Sequence, residues 1–359
     1  MDRRLRLDAV RDALAPRELD ALLVTKRENL RWLTGFTGSA GMALVHGGQL
    51  LVVTDGRYRD QVVDELTEAG IDADIEITTS PARVLRAATG EVARLALEAD
   101  DVSWAVAATA DTDWFPAAEV VATRGLIEEL RAVKSPAEVD RIEAAGAIAD
   151  AALAEVIPMF AEHPTEIDIA IALESTMRHL GAEGPAFETI VASGPNSAVP
   201  HHRPTSRMIG EGDLVVIDMG ATVDGYRSDM TRSFSLGAPD QTAARLLDVV
   251  AAAQRAGLDA VAAGVDCSEV DGAARGVIAG AGWGEAFVHP TGHGVGLEIH
   301  EPLRLSATAG ATLAAGHVVT VEPGVYLAGV GGVRIEDTVE VTAHGCRRLT
   351  RASPPVIVG

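Results

Sequence analysis

The sequence predicts a mixed α/β fold, α+β in its arrangement, built as a small N-terminal domain followed by a larger one. Three observations predict it. At 359 residues the chain exceeds the usual size of a single hydrophobic core. Short apolar runs of strand length alternate with alanine-rich stretches of helix length. A sharply marked helix start near residue 135 divides the chain, so residues 1–130 read as one domain and 131–359 as the other.

Composition narrows the function classes. Hydrophobic residues make up 47% and are interleaved with charge, as in a globular protein. The formal net charge of -22 repels polyanions and argues against nucleic acid or an anionic membrane surface as the main partner. Cys267 and Cys346 lie far apart and outside any C-x-x-C spacing, so neither a disulfide framework nor a thiolate zinc site is indicated. The opening MDRRLRLDAV lacks an apolar signal core, and no run reads as long enough to span a membrane; a cytoplasmic protein is expected.

The elements follow in order. A short basic helix precedes an apolar strand at residues 21–25. Runs at 42–45 and 50–54 flank Gly47-Gly48, a pair suited to a tight hairpin turn. Residues 34–41 (TGFTGSAG) are glycine-rich but lack the lysine and following helix of a phosphate loop, so they read as a turn into that hairpin. Residues 82–94 look helical and 93–98 form a strand, before a mixed segment ending near Glu129. Ser135-Pro136-Ala137-Glu138 then opens a long helix to about Phe160, with Ser135 as N-cap, Pro136 at the first helical position and Glu138 closing a capping box. Another helix begins at Thr165. Residues 187–192 read as a strand, 194–205 as a loop holding His201 and His202, and 241–263 and 266–281 as helices, the second with an Asp266/Glu269 cap.

The second domain is organised around residues 214–232, LVVIDMGATVDGYRSDMTR. Its apolar start is a strand covered on both faces, and Gly220, Asp224 and Gly225 supply turn chemistry before a second strand. As a hairpin it brings Asp218 and Asp229 side by side, and two carboxylates that close call for a cation between them. Downstream, HPTGHGVGLEIHE frees the His293 imidazole among glycines, TVEPGVY ends a strand on Glu322, and GVRIED carries Glu336 beside Arg334. Four carboxylates carry a charge of about -4, which two divalent ions would balance. Together with one imidazole they suit Mn²⁺, Co²⁺, Fe²⁺ or Zn²⁺ in a two-metal centre.

The ordered set Asp218, Asp229, His293, Glu322 and Glu336, with the surrounding words IDMG, SDMTR, TGHGVGLEIHE, VEPGVY and GVRIED, resembles the pita-bread metallopeptidases, the family of methionine aminopeptidase, aminopeptidase P and prolidase. The resemblance covers residues 134–350, and the N-terminal unit resembles the creatinase-type domain of aminopeptidase P and prolidase. It implies that the five residues bind two divalent ions, Mn²⁺ foremost, with Asp229 and Glu336 bridging them. Glu322 would also carry the proton of the attacking water. His201 and His300 match histidines that hold substrate, and His289 and Arg334 match positions near the metals and the proline pocket. His202 has no match and reads as a neighbour; Pro290 departs from the family pattern and leaves the local loop shape open.

The function implied is an Xaa-Pro aminopeptidase, with peptides carrying proline at the second position as partners and a homodimer as the expected assembly. The nearest rival is an Xaa-Pro dipeptidase, prolidase, which shares every motif above. A non-catalytic binding module is disfavoured because all five ligand types are present.

Overall fold

An apolar run with no polar position can be buried on both faces of a sheet, and the first third of the chain uses its runs in this way. In the computed structural model, which describes residues 3–90, 92–353 and 357–358, the chain divides into two units, Met1–Arg131 and Ala132–Gly359. In the first, strands β1 (Ala21–Val24), β2 (Gly41–His46), β3 (Gln49–Thr54), β4 (Asp74–Ile77), β5 (Arg94–Glu98) and β6 (Glu119–Thr123) form one sheet, ordered β4-β3-β2-β1-β5-β6. The central β1 is buried at every position. β2 and β3 form the predicted hairpin, and Gly47 and Gly48 take φ of +50° and +86°, left-handed values that a side chain resists. Helices α1 (Arg3–Leu14), α2 (Arg27–Thr34), α3 (Arg59–Glu68), α4 (Ala82–Ala88), α5 (Trp104–Thr109) and α6 (Leu126–Ala132) complete this part of the chain. The helix predicted over 82–94 is shorter. α4 stops at Ala88 because Thr89 leaves helical geometry and turns its hydroxyl onto the Leu85 carbonyl at 2.9 Å; residue 91 lies outside the described residues.

The second unit opens with the predicted capping box. The Ser135 backbone N–H and hydroxyl both donate to Glu138 Oε2, at 2.8 and 2.7 Å, and start α7 (Pro136–Val156). Pro158 cannot donate a helical hydrogen bond, so the chain continues only as a 3-10 turn, Ile157–Glu162. By length and composition alone Pro136–Glu162 would cross a membrane, which the sequence reading did not anticipate. Its Val139, Ile142, Ala145, Ala149 and Leu153 are nevertheless buried at helical spacing, as a core helix requires. Thr165 and Asp168 cap α8 (Glu166–His179). Two more helices follow, α9 (Gln241–Ala260) and α10 (Cys267–Gly280). The Asp266/Glu269 cap does not form, because the Asp266 carboxylate accepts instead from Thr312 Oγ1 at 2.7 Å.

Strands β7 (Ile190–Ser193), β8 (Leu214–Met219) and β9 (Met230–Leu236) lie antiparallel, with Asp218 opposite Thr231. β7 starts later than the predicted strand over 187–192, its pairing with β8 beginning at Ile190 opposite Asp218. Further strands toward the C-terminus are β10 (Gly292–Gly294), β11 (Glu301–Leu305), β12 (Val318–Val321), β13 (Gly324–Leu327), β14 (Gly331–Arg334), β15 (Asp337–Thr342) and β16 (Gly345–Arg348). They form a sheet ordered β11-β10-β12-β15-β16, with β13 and β14 as a separate ribbon. The alanine-rich helices present little bulk. Ala145, Ala149, Ile169 and Leu173 therefore pack closely on Val215, Ile217 and Phe234, and Leu258 and Val270 on Val319, Val321 and Val339.

Candidate metal centre

Strand alternation aims the first ligand candidate. Ile217 and Met219 point into the core beneath α7 and α8, so Asp218 between them faces the other way, into a cavity of about 930 Å³. Asp229 precedes β9, its backbone carbonyl accepting from Thr338 Oγ1 at 2.8 Å. His293 sits at the centre of β10. A Cβ at Gly292 would lie 1.9 Å from the Thr320 carbonyl oxygen, so only glycine lets this strand lie against β12. Glu322 follows β12 directly, and Glu336 joins β14 to β15. All five residues line the one cavity, with His201, His289, His300 and Arg334 in the same wall.

The donor set fits a cation. His293 Nδ1 lies 2.9 Å from the Gly294 carbonyl, which can only accept, so Nδ1 carries the hydrogen and Nε2 presents a lone pair. That lone pair faces Asp229 Oδ2 at 3.5 Å and Glu322 Oε1 at 3.4 Å. Burial holds the imidazole neutral by lowering its pKa to about 4. One donor atom each from Asp229, His293 and Glu336 lies within 4.8 Å of the others. Among the described residues, the buried Asp218 Oδ1 and Glu336 Oε1 have no hydrogen-bond partner, an arrangement that costs free energy unless something electropositive meets them.

The carboxylate energetics agree. Burial, then the charges of Glu336, Asp218 and Glu322, push Asp229 well above the usual carboxylate range. Burial, then Glu322 and Asp218, does the same at Glu336. Burial takes Glu322 to about 8. The nearby cation, Arg334, donates from Nη2 to Asp218 Oδ2 at 2.6 Å and from Nε to Thr231 Oγ1 at 3.1 Å; Thr231 Oγ1 in turn donates to Glu336 Oε2 at 2.7 Å. These bonds orient two ligand candidates and engage only one oxygen of each, leaving the other buried without a partner.

The matched histidines are placed differently from one another. His300 stacks edge-on against His293 with centroids 4.3 Å apart, and His201 lies exposed in the cavity wall. Both ring nitrogens of His289 are engaged: its Nδ1 donates to the Pro290 carbonyl at 2.8 Å, and its Nε2 accepts from Tyr326 at 2.9 Å. Tyr326 in turn accepts from Arg334 Nη1 at 2.7 Å, and burial raises the phenol to about 12, so it stays protonated and can donate. The loop shape that Pro290 left open is set by α10. Asp271 accepts from Thr291 N and Oγ1 at 3.1 and 2.8 Å, while Arg275 reaches the carbonyls of Phe287 and His289 at 2.9 and 3.0 Å.

Sequence reasoning missed Tyr326 as a link and Arg304 as a cavity residue. Arg304 sits on β11 opposite His293 and is exposed to the cavity. A single arginine on a polar strand carries no periodic or spacing signal. Tyr326 lies inside a motif word, but nothing in that word says which groups it joins.

Comparison with known proteins agrees with this geometry. Residues 140–343 match the model of Metallopeptidase family M24, and residues 6–133 that of the Creatinase/Prolidase N-terminal domain. Uncharacterized peptidase YqhT of Bacillus subtilis is 35% identical over 99% of this chain and 100% of its own length. An Xaa-Pro dipeptidase from Bacillus anthracis superposes with a TM-score of 0.94, at 33% identity and 99% of each chain. An X-Pro aminopeptidase from Thermotoga maritima superposes with a TM-score of 0.88, at 34% identity, over 95% of this chain and 98% of that one. With the carboxylate and histidine donors gathered in one cavity, the chain belongs to metallopeptidase family M24, preceded by a creatinase/prolidase N-terminal domain.

Proposed function

We propose that this chain hydrolyses Xaa-Pro peptide bonds with two divalent metal ions, Mn²⁺ foremost, which Asp218, Asp229, His293, Glu322 and Glu336 would hold. The observation that carries the reading is the cavity lined by all five residues, where a neutral His293 lone pair faces Asp229 and Glu322 and one buried oxygen each of Asp218 and Glu336 has no hydrogen-bond partner. Bound divalent ions supply Lewis acidity and lower the pKa of water at such a site. Glu322, on the cavity wall, is the carboxylate suited to take a proton from water and return it to the departing nitrogen. That return matters for proline, whose tertiary amide nitrogen has no hydrogen of its own. His300 and His201 are placed to hold the substrate carbonyl, and Arg334 keeps Asp218 oriented.

Both substrate lengths have support. An aminopeptidase acting on longer peptides is the reading expected from the sequence, and the cavity volume of about 930 Å³ is compatible with it. Arg304 favours the dipeptidase reading, because a guanidinium on the cavity wall is suited to the free carboxylate of a C-terminal proline. The same proposal carries a homodimer acting in the cytoplasm. Metal-stripped protein resupplied with Mn²⁺ is assayed on Ala-Pro and Ala-Pro-Ala, with Glu322→Gln as control. Activity confined to the dipeptide establishes a dipeptidase, and cleavage of the tripeptide at its Ala-Pro bond an aminopeptidase. No activity on either peptide refutes the proposal.

A further inference from the structure

His201 stands on an irregular loop between β7 and Thr205, of which Gly194–Ala198 is a 3-10 turn. A loop of this kind carries high conformational entropy, so a side chain on it is well placed only if the backbone is tied down elsewhere. The tie is Glu166, the first residue of α8, whose side chain is fully buried. Its Oε1 accepts from Ser193 N at 2.8 Å, Ser193 Oγ at 2.8 Å and Asn196 Nδ2 at 3.0 Å. Its Oε2 accepts from His202 Nε2 at 2.9 Å, Thr205 N at 3.0 Å and Thr205 Oγ1 at 2.7 Å.

These donors sit at the start of the loop, inside it, beside His201 and at its end. Burial by itself would raise this carboxyl, but the hydrogen bonds from Asn196, His202, Thr205 and Ser193 outweigh it and hold the group at about 2. An ionised carboxylate only accepts, so His202 Nε2 must carry the hydrogen. The position at a helix N-terminus favours the same charge. From the other side of the loop, Arg334 Nη1 donates to the Pro200 carbonyl at 3.3 Å. His201 is therefore bracketed by a carbonyl tied to Arg334 on one side and by His202 tied to Glu166 on the other.

We propose that Glu166 is a positioning residue for the hydrolysis: by clamping the loop at Ser193, Asn196, His202 and Thr205, it holds His201 in the cavity wall. His202, which reads as a bystander in the sequence, becomes the clamp's contact nearest to the working histidine. This inference rests on the Xaa-Pro peptidase reading.

The test uses the Mn²⁺-loaded full chain. Glu166→Gln keeps the shape but leaves acceptors for only part of the donor set; His202→Leu cuts a single bond and serves where Glu166→Gln does not fold; His202→Gln restores a donor. Each variant is made alone and with His201→Ala. The expected result is a fall in kcat/KM on the cleaved peptide of at least tenfold for Glu166→Gln and His202→Leu, at unchanged metal content, with His202→Gln recovering most of it. In the His201→Ala background neither variant should cause further loss, since the effect runs through His201. Amide hydrogen exchange over residues 194–205 should quicken at least tenfold while the rest of the chain keeps its protection. Additive losses in the His201→Ala background, full activity in a loosened loop, or unchanged loop exchange would each overturn the assignment. A wild type inactive on every Xaa-Pro peptide would refute the peptidase reading instead, and the exchange measurement would still decide whether Glu166 holds the loop.

Discussion

Metal uptake should expel protons, by an amount the structure allows to be worked out. Metal ligands must be deprotonated, yet the cavity raises Asp229, Glu322 and Glu336 while metal is absent. Glu322, at about 8, is about nine-tenths protonated at pH 7. Asp229 and Glu336 lie well above the ordinary range for the same reason, burial followed by neighbouring negative charge. Loading at pH 7 should thus release at least about one proton, and apparent Mn²⁺ affinity should rise at least about tenfold per pH unit below pH 8. The sign for stability is the reverse in metal-free protein. A carboxyl raised in the folded state stabilises fully below its unfolded pKa near 4.5, and that contribution is lost as pH climbs to 8, at up to about 1.4 kcal/mol per pH unit per group. Glu322 keeps 17% side-chain exposure, which tempers its share. Titration calorimetry of stripped protein with Mn²⁺, in buffers of different ionisation heat, reads the proton count directly. No buffer dependence between pH 6 and 7 would refute the argument.

Other outcomes follow from single contacts. Glu322→Gln should retain its fold but lower kcat by roughly 10²–10⁴-fold, read in the Ala-Pro assay at saturating metal. Arg304→Leu should raise KM for Ala-Pro by about 10–100-fold while leaving KM for a C-terminally amidated peptide nearly unchanged, as expected for loss of a charged hydrogen bond of about 1.5–3 kcal/mol. Gly292→Ala must push β10 off the Thr320 carbonyl, 1.9 Å from the new Cβ; thermal unfolding should show a loss of roughly 1–3 kcal/mol, with weaker metal binding because His293 moves too. Ser135→Ala removes the hydroxyl donor to Glu138 and should destabilise by about 1 kcal/mol in denaturant titration without changing activity.

Local chemistry was legible in the sequence because its signals are local. The Gly47-Gly48 hairpin, the Ser135/Glu138 capping box and the continuous apolar run of β8 each depend on residues adjacent or a few positions apart. The five acidic and imidazole ligand candidates stood out because they lie in or beside apolar and glycine-rich runs inside distinctive words, and the fold does bring them to one cavity. Less legible was where elements stop: Asp266 gave up its cap to Thr312, and α4 ended early, because tertiary partners competed with helical propensity. Long-range pairing carried no signal at all. Glu166 meets its donors 27 to 39 residues away, and Arg334 reaches Asp218 across 116. Neither separation has a period or a motif, so only the folded chain could decide that Glu166 clamps the His201 loop, that Tyr326 joins Arg334 to His289, and that Arg304 faces the cavity. Residue types and their local order selected the chemistry; the packing of helices on strands selected which polar atoms were satisfied and which were left for a metal.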